Sequence, residues 1–74
     1  MPHLPILSGR EVIKALYKIG YHQARQRGSH IRLHSHDKKS ITVPNYNTVS
    51  RGLLRKILRD AEISVSKFKE LIKS

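Results

Sequence analysis

Apolar residues first recur at helical spacing, with Val12, Ile13, Leu16 and Ile19 on one side and Lys14 and Lys18 off the stripe. Ser8-Gly9-Arg10-Glu11 ahead of them fits a capping box, serine at the N-cap and glutamate three residues on. Gly20 stands where a glycine in left-handed conformation ends a helix. The pattern predicts a helix over Gly9–Ile19. The period then falls to two. Tyr21, Gln23, Arg25 and Arg27 alternate against His22, Ala24 and Gln26, and Gly28-Ser29 is a two-residue hairpin turn. His30-Ile31-Arg32-Leu33-His34 puts Ile31 and Leu33 on one face. A polar loop over Ser35–Lys39 leads to Ser40-Ile41-Thr42-Val43, which alternates until Pro44 stops pairing. Helical spacing returns from about Ser50 in Leu53, Leu54, Ile57, Leu58 and Ala61, with Arg51, Arg55, Lys56 and Arg59 around the rest. Ser64 can cap a last short helix bearing Val65, Phe68, Leu71 and Ile72. The expected fold is α+β in the order αβββα, plus a short C-terminal helix. Its sheet is a three-stranded antiparallel meander, with the helices layered on one face.

A chain of 74 residues holds one core, because folding at this size buries only about 60% of the unfolded surface. Residues 1–7, with two prolines, are expected as an extended lead, and residues 8–74 as a single domain. The absence of cysteine excludes a disulfide staple and a cysteine zinc site. No run approaches the ~20 apolar residues that span a bilayer. The opening residues lack the charged and apolar regions of a signal peptide. A cytoplasmic location without membrane association is therefore the expectation. Charge changes the picture most: 15 Lys and Arg against 5 Asp and Glu give a formal net charge of +10. That balance predicts a polyanionic partner: nucleic acid first, an acidic protein second, an anionic membrane surface third.

Four of the five histidines fall between positions 22 and 36, among Arg25, Arg27, Arg32, Lys38 and Lys39. An imidazole set among fixed cations suits cleavage of an RNA phosphodiester. The histidine moves a proton at the 2′-hydroxyl or the leaving oxygen, while Arg and Lys offset charge on the phosphorane-like transition state. That route needs no metal and no other cofactor. Histidine on an exposed strand face is more often a polar surface residue, so composition alone does not select one. A metal site at His30, His34 and His36 is the rival. At about 3.3 Å per residue, His30 and His34 lie too far apart to share an ion. His34 and His36 come nearer, but Asp37 is the only acid beside them.

Among nucleic-acid modules, a KH domain is excluded because no glycine pair has GXXG spacing, and an RRM because the strands carry His and Arg rather than stacking aromatics. A helix-turn-helix over Val49–Ile72 would set Arg51, Arg55, Lys56 and Arg59 on phosphates. The plainer reading makes those four the solvated face of a helix, adding salt-sensitive affinity.

Taken in order, Ser8-Gly9-Arg10-Glu11-Val12-Ile13-Lys14-Ala15-Leu16, Gly20-Tyr21, Arg25-Gln26-Arg27-Gly28-Ser29-His30, Ile41-Thr42-Val43-Pro44-Asn45 and Arg51-Gly52-Leu53-Leu54-Arg55-Lys56-Ile57-Leu58-Arg59-Asp60-Ala61 resemble the HicA family of toxin endoribonucleases. The resemblance runs from Ser8 to Ile72. It implies a fold like that of double-stranded RNA-binding domains and an mRNA interferase of a type II toxin–antitoxin pair, held in check by a HicB-type antitoxin. It implies that His30, opening the second strand after the Gly-Ser turn, is the catalytic histidine. Arg25, Arg27, Gly28, Ser29, Arg32, Lys38 and Lys39 around that turn, with Arg51, Arg55 and Lys56 on the later helix, are the expected RNA contacts. Two positions depart from the family pattern: Tyr46 stands where many relatives carry histidine, and Glu62 where the family has glycine before the last helix. Two other functions remain: a non-catalytic RNA-binding module of the same fold, and a DNA-binding regulator acting through the last two helices.

Overall fold

The computed structural model of the chain describes residues 4–73. Met1–His3, the first part of the expected lead, and Ser74 lie outside the described residues. The elements are α1 (Gly9–Tyr17), β1 (Tyr21–Arg27), β2 (His30–Ser35), β3 (Ile41–Pro44), α2 (Arg51–Ala61) and α3 (Val65–Lys73). The strands form one antiparallel sheet in the order β1-β2-β3. The αβββα order with a terminal helix is as the sequence predicts.

Each helix starts where a serine can accept from the first turn. The Glu11 N–H donates to Ser8 Oγ at 3.2 Å, and the Ser8 N–H donates to the Glu11 carboxylate at 2.9 Å, closing the capping box. Ser50 Oγ accepts from the Leu53 N–H and Ser64 Oγ from the Lys67 N–H. The first helix ends two residues earlier than its apolar stripe suggests. Lys18 and Ile19 donate to the carbonyls three residues back, Ala15 and Leu16, which tightens the last turn before Gly20 at φ +102°. Glu62 takes the left-handed conformation at the end of α2, φ 59° and ψ 40°. The turn that a glycine usually makes is thus formed here by glutamate.

The third strand is shifted one residue toward the C-terminus and includes Pro44, opposite His30. The Asn45 N–H donates to the Ser29 carbonyl at 2.6 Å. That bond makes His30 and Pro44 a non-hydrogen-bonded pair. The missing N–H of Pro44 therefore costs the ladder nothing.

Alternation in β2 sorts the sheet into two faces. Ile31, Leu33, Ile41 and Val43 point to the helices and are buried; His30, Arg32 and His34 are exposed. Against the apolar face pack Val12 and Leu16 of α1 and Leu54, Ile57 and Leu58 of α2, and Phe68 of α3, which lies against those two helices, joins the same core. Each such Val, Leu or Phe contributes about 1.5–3 kcal/mol by leaving water. The lead is extended but not loose: Leu4 and Leu7 join this core, and Leu7 bridges Val49, whose N–H donates to the Leu7 carbonyl at 2.7 Å.

One irregularity decides which side chains share the outer face. Tyr21, His22 and Gln23 pair with Ser35, His34 and Leu33, whereas Arg25, Gln26 and Arg27 pair with Arg32, Ile31 and His30. The register shift between Gln23 and Arg25 leaves Ala24 as the extra residue of a β-bulge. Strict alternation would hold Tyr21 and Arg27 on one face. With the bulge, Tyr21 is buried while Arg25 and Arg27 stand with His30 and Arg32.

Candidate active site

The β1–β2 hairpin builds the site from its turn inward. Gly28 has φ +59°, with no positive φ at Ser29, the arrangement of a type II′ hairpin. The Gln26 side-chain amide donates to the Gly28 carbonyl at 2.9 Å, and the Ser29 carbonyl is held by Asn45. His30 therefore leaves a turn fixed on both sides. Its ring meets Tyr46 edge-on, centroids 6.3 Å apart at 71°. Tyr46 is fixed in turn through its carbonyl, which accepts from the Gly9 N–H at 2.9 Å. A Cβ on Gly9 would overlap the Pro44 carbonyl, so only glycine lets the start of α1 approach this closely.

Arg25, Arg27, His30, Arg32 and Thr42 line an open groove of about 300 Å³ on the outer sheet face. Arg25 and Arg32 stand directly opposite one another, an arrangement that like charges oppose. Arg32 donates to Thr42 Oγ1 at 2.9 Å, as expected of close neighbours in a non-hydrogen-bonded pair. None of the three arginines has an ion pair among the described residues; the pairs formed are Lys56–Asp60 at 3.1 Å and Lys39–Asp60 at 4.0 Å. Guanidiniums gathered without a counter-charge are suited to bind an anion, and their forked donors match phosphate oxygens. A larger cleft, about 510 Å³, lies on the helix side of the hairpin between α1 and Gln23 and Gln26. Among the described residues it holds no histidine and only two cations, so the smaller groove is the better candidate for phosphate chemistry.

The remaining expected contacts are dispersed. Lys38 and Lys39 follow the far end of β2, about 15 Å or more from His30 at strand rise. Lys39 is turned toward Asp60, whose carboxyl is held below its ordinary value, first by the hydrogen bond from Lys56. Arg51, Arg55 and Lys56 lie exposed on α2, which packs with its Leu54, Ile57 and Leu58 side inward, so they belong to the opposite side of the molecule. The Arg51 Nε donates to the Leu4 carbonyl at 3.0 Å, tying down the lead. Thr42 was not among the expected contacts; its place opposite Arg32 was available from the alternation of β3. His22 and His34, unassigned by the sequence, face each other across β1 and β2 with ring centroids 6.3 Å apart. Among the described residues, no group of three His, Asp or Glu side chains is gathered closely enough to hold a metal ion.

Residues 9–63 match the family model described as HicA toxin of bacterial toxin–antitoxin systems. The chain belongs to the HicA toxin family. The match spans α1, the whole sheet and α2 and ends just before α3. No curated protein matches the chain. Membership gives the protein the role of a toxin, whose action a partner antitoxin opposes. Its αβββα order, with helices on one sheet face, is the double-stranded RNA-binding-domain-like arrangement. No helix among the described residues is long and apolar enough to cross a membrane.

Proposed function

We propose that the toxin is an mRNA-cleaving endoribonuclease with His30 as its general acid–base group. The observation that carries this reading is the groove in which His30 stands among Arg25, Arg27 and Arg32 with no acid beside it. In the cleavage, the 2′-hydroxyl attacks the neighbouring phosphorus and the bond to the 5′-oxygen breaks. A 2′,3′-cyclic phosphate and a 5′-hydroxyl result. His30 takes the proton from the 2′-hydroxyl or supplies one to the departing oxygen. Arg25, Arg27 and Arg32 neutralise the charge that accumulates on phosphorus-bound oxygens, a task a metal ion performs elsewhere. Gly28 and Ser29 give the strand close access to the turn. Tyr46, a phenol beside the imidazole, is the neighbouring group placed to serve the second proton. Arg51, Arg55 and Lys56, and Lys38 and Lys39, add distant phosphate contacts.

The partner is a HicB-type antitoxin whose acidic surface covers the groove, and the site of action is the cytoplasm, where mRNA is translated. His30→Ala is expected to lose at least about 100-fold in RNA cleavage and to relieve growth arrest, while cleavage by the natural protein persists in EDTA. Cleavage retained by His30→Ala overturns the assignment. Salt-dependent RNA binding without any cleavage by the natural protein would make it a binding module instead.

A further inference from the structure

We propose that His22 and His34 form a second RNA subsite on the outer sheet face, a protonated imidazole pair that takes a phosphate of the single strand leaving the His30 groove. The inference rests on reading that groove as an RNA site, and it adds a binding position and a pH dependence that cleavage chemistry does not require. The bulge at Ala24 is what creates the pair. A regular hairpin register from the Gly28-Ser29 turn would set Gln23 opposite His34; the extra residue brings His22 there instead. The rings then lie 6.3 Å apart at 80°, on the same face as Arg25, Arg27, His30 and Arg32.

The outer face is thus one continuous cationic track along the hairpin. His34 lies about 13 Å from His30 at strand rise, beyond the reach of a single nucleotide held in the groove. No helix among the described residues covers this face, so the charged groups around the pair come from the strands and their ends. Toward the groove these are Arg25 and Arg32. Beyond β2 they are His36 and Asp37, whose carboxylate accepts from Ser35 Oγ at 3.1 Å. Lys39, before β3, is drawn away to Asp60. Phosphate is drawn more strongly to an imidazolium than to a neutral imidazole, so affinity for the pair rises as pH falls through the range in which histidine titrates.

The test uses the full chain and a 2′-O-methyl oligoribonucleotide long enough to run the length of β2, which binds but cannot be cleaved. Affinity at about pH 5.5 is expected to exceed that at about pH 8 by about fivefold. The double variant His22→Gln/His34→Gln loses most of this difference. In imidazole NMR spectra, the oligonucleotide moves the His22 and His34 signals and uridine 3′-phosphate moves only that of His30. The proposal is overturned if the double variant keeps the full pH dependence, if His30→Ala alone abolishes it, or if the pair responds to zinc but not to the oligonucleotide. Because the ligand is uncleavable, a toxin that failed to cut RNA would refute the catalytic reading and still leave this result to stand.

Discussion

At Gly9, the start of α1 lies against the Pro44 carbonyl with no room for a methyl group, and the same backbone holds Tyr46 beside His30. Gly9→Ala is therefore expected to cost about 1–3 kcal/mol, as overpacking does, and to weaken cleavage beyond that loss by displacing the Asn45–Tyr46 segment. Thermal denaturation and single-turnover cleavage of the same variant separate the two effects. Glu62 is the opposite case. A side chain in left-handed conformation is strained by roughly 1–2 kcal/mol, and nothing in the structure shows what glutamate gains there. Glu62→Gly is expected to raise stability by up to about 1 kcal/mol without changing RNA affinity. A lower melting temperature for Glu62→Gly would show that the carboxylate has a stabilising role.

Between elements, Tyr21 ties the start of β1 to the loop before β3: its hydroxyl donates to the Lys39 carbonyl at 2.7 Å. Burial, reinforced by the charges of Glu62, Asp60 and Asp37, raises its pKa above the ordinary phenol value. A group whose folded pKa is raised stabilises the fold fully below the unfolded pKa and ceases to do so as pH rises through the folded one. The protein should thus lose stability above about pH 10. Tyr21→Phe should flatten that alkaline limb while costing about 0.5–1.5 kcal/mol at neutral pH, measured by denaturant unfolding across pH. The bulge gives a sharper test at this scale. Deleting Ala24 leaves Tyr21 inward and Arg25 and Arg27 outward in unbroken alternation, so the groove and its RNA affinity should survive. Deleting Gln26 instead turns Arg25 to the helix side of the hairpin, opposite Ile31, and should weaken RNA affinity by taking it out of the groove. Equal outcomes for the two deletions would contradict the register.

This contrast also shows what the sequence could and could not say. Capping by Ser8 and Glu11, the Gly28-Ser29 turn and the apolar pairs Ile31/Leu33 and Leu54/Leu58 are local signals, and each element appeared where they placed it. The bulge has no such signal: Ala24 is an ordinary strand residue, and only burying Tyr21 while exposing Arg27 requires it. Consequently the grouping of Arg25, Arg27, His30 and Arg32 was legible as a cluster in the chain but not as a face of the sheet. The pairing of His22 with His34 was not legible at all. Lys38 and Lys39 are the converse case: near His30 in sequence, they are separated from it by the length of β2.

On the scale of the whole molecule, two of the surfaces that share the basic residues are ones that a single ligand strand does not meet in the same way. One is the outer sheet face with its groove, where the three arginines have no ion partners among the described residues; the other is the solvent side of α2, where Lys56 already engages Asp60. If RNA is held for cleavage on the sheet face, removing charge from the two surfaces must have different signatures. Arg25→Gln/Arg27→Gln should lower cleavage by more than it lowers affinity, because these groups act most strongly on the charge that develops at phosphorus. It should also reduce the slope of log affinity against log salt by about one for each phosphate no longer neutralised. Arg55→Gln/Arg59→Gln should weaken binding at low salt only, with the cleavage rate of bound RNA unchanged. Single-turnover cleavage at saturating protein, with affinity measured over a series of salt concentrations, reads both quantities. A lower cleavage rate from the α2 variant would mean that the substrate wraps around to the helical side, and the sheet face would then be only half of the site. The same pair of variants bears on restraint of the toxin. An antitoxin that works by covering the groove should bind the Arg25/Arg27 variant more weakly and the Arg55/Arg59 variant as before, so that loss of activity and loss of inhibition map to one face.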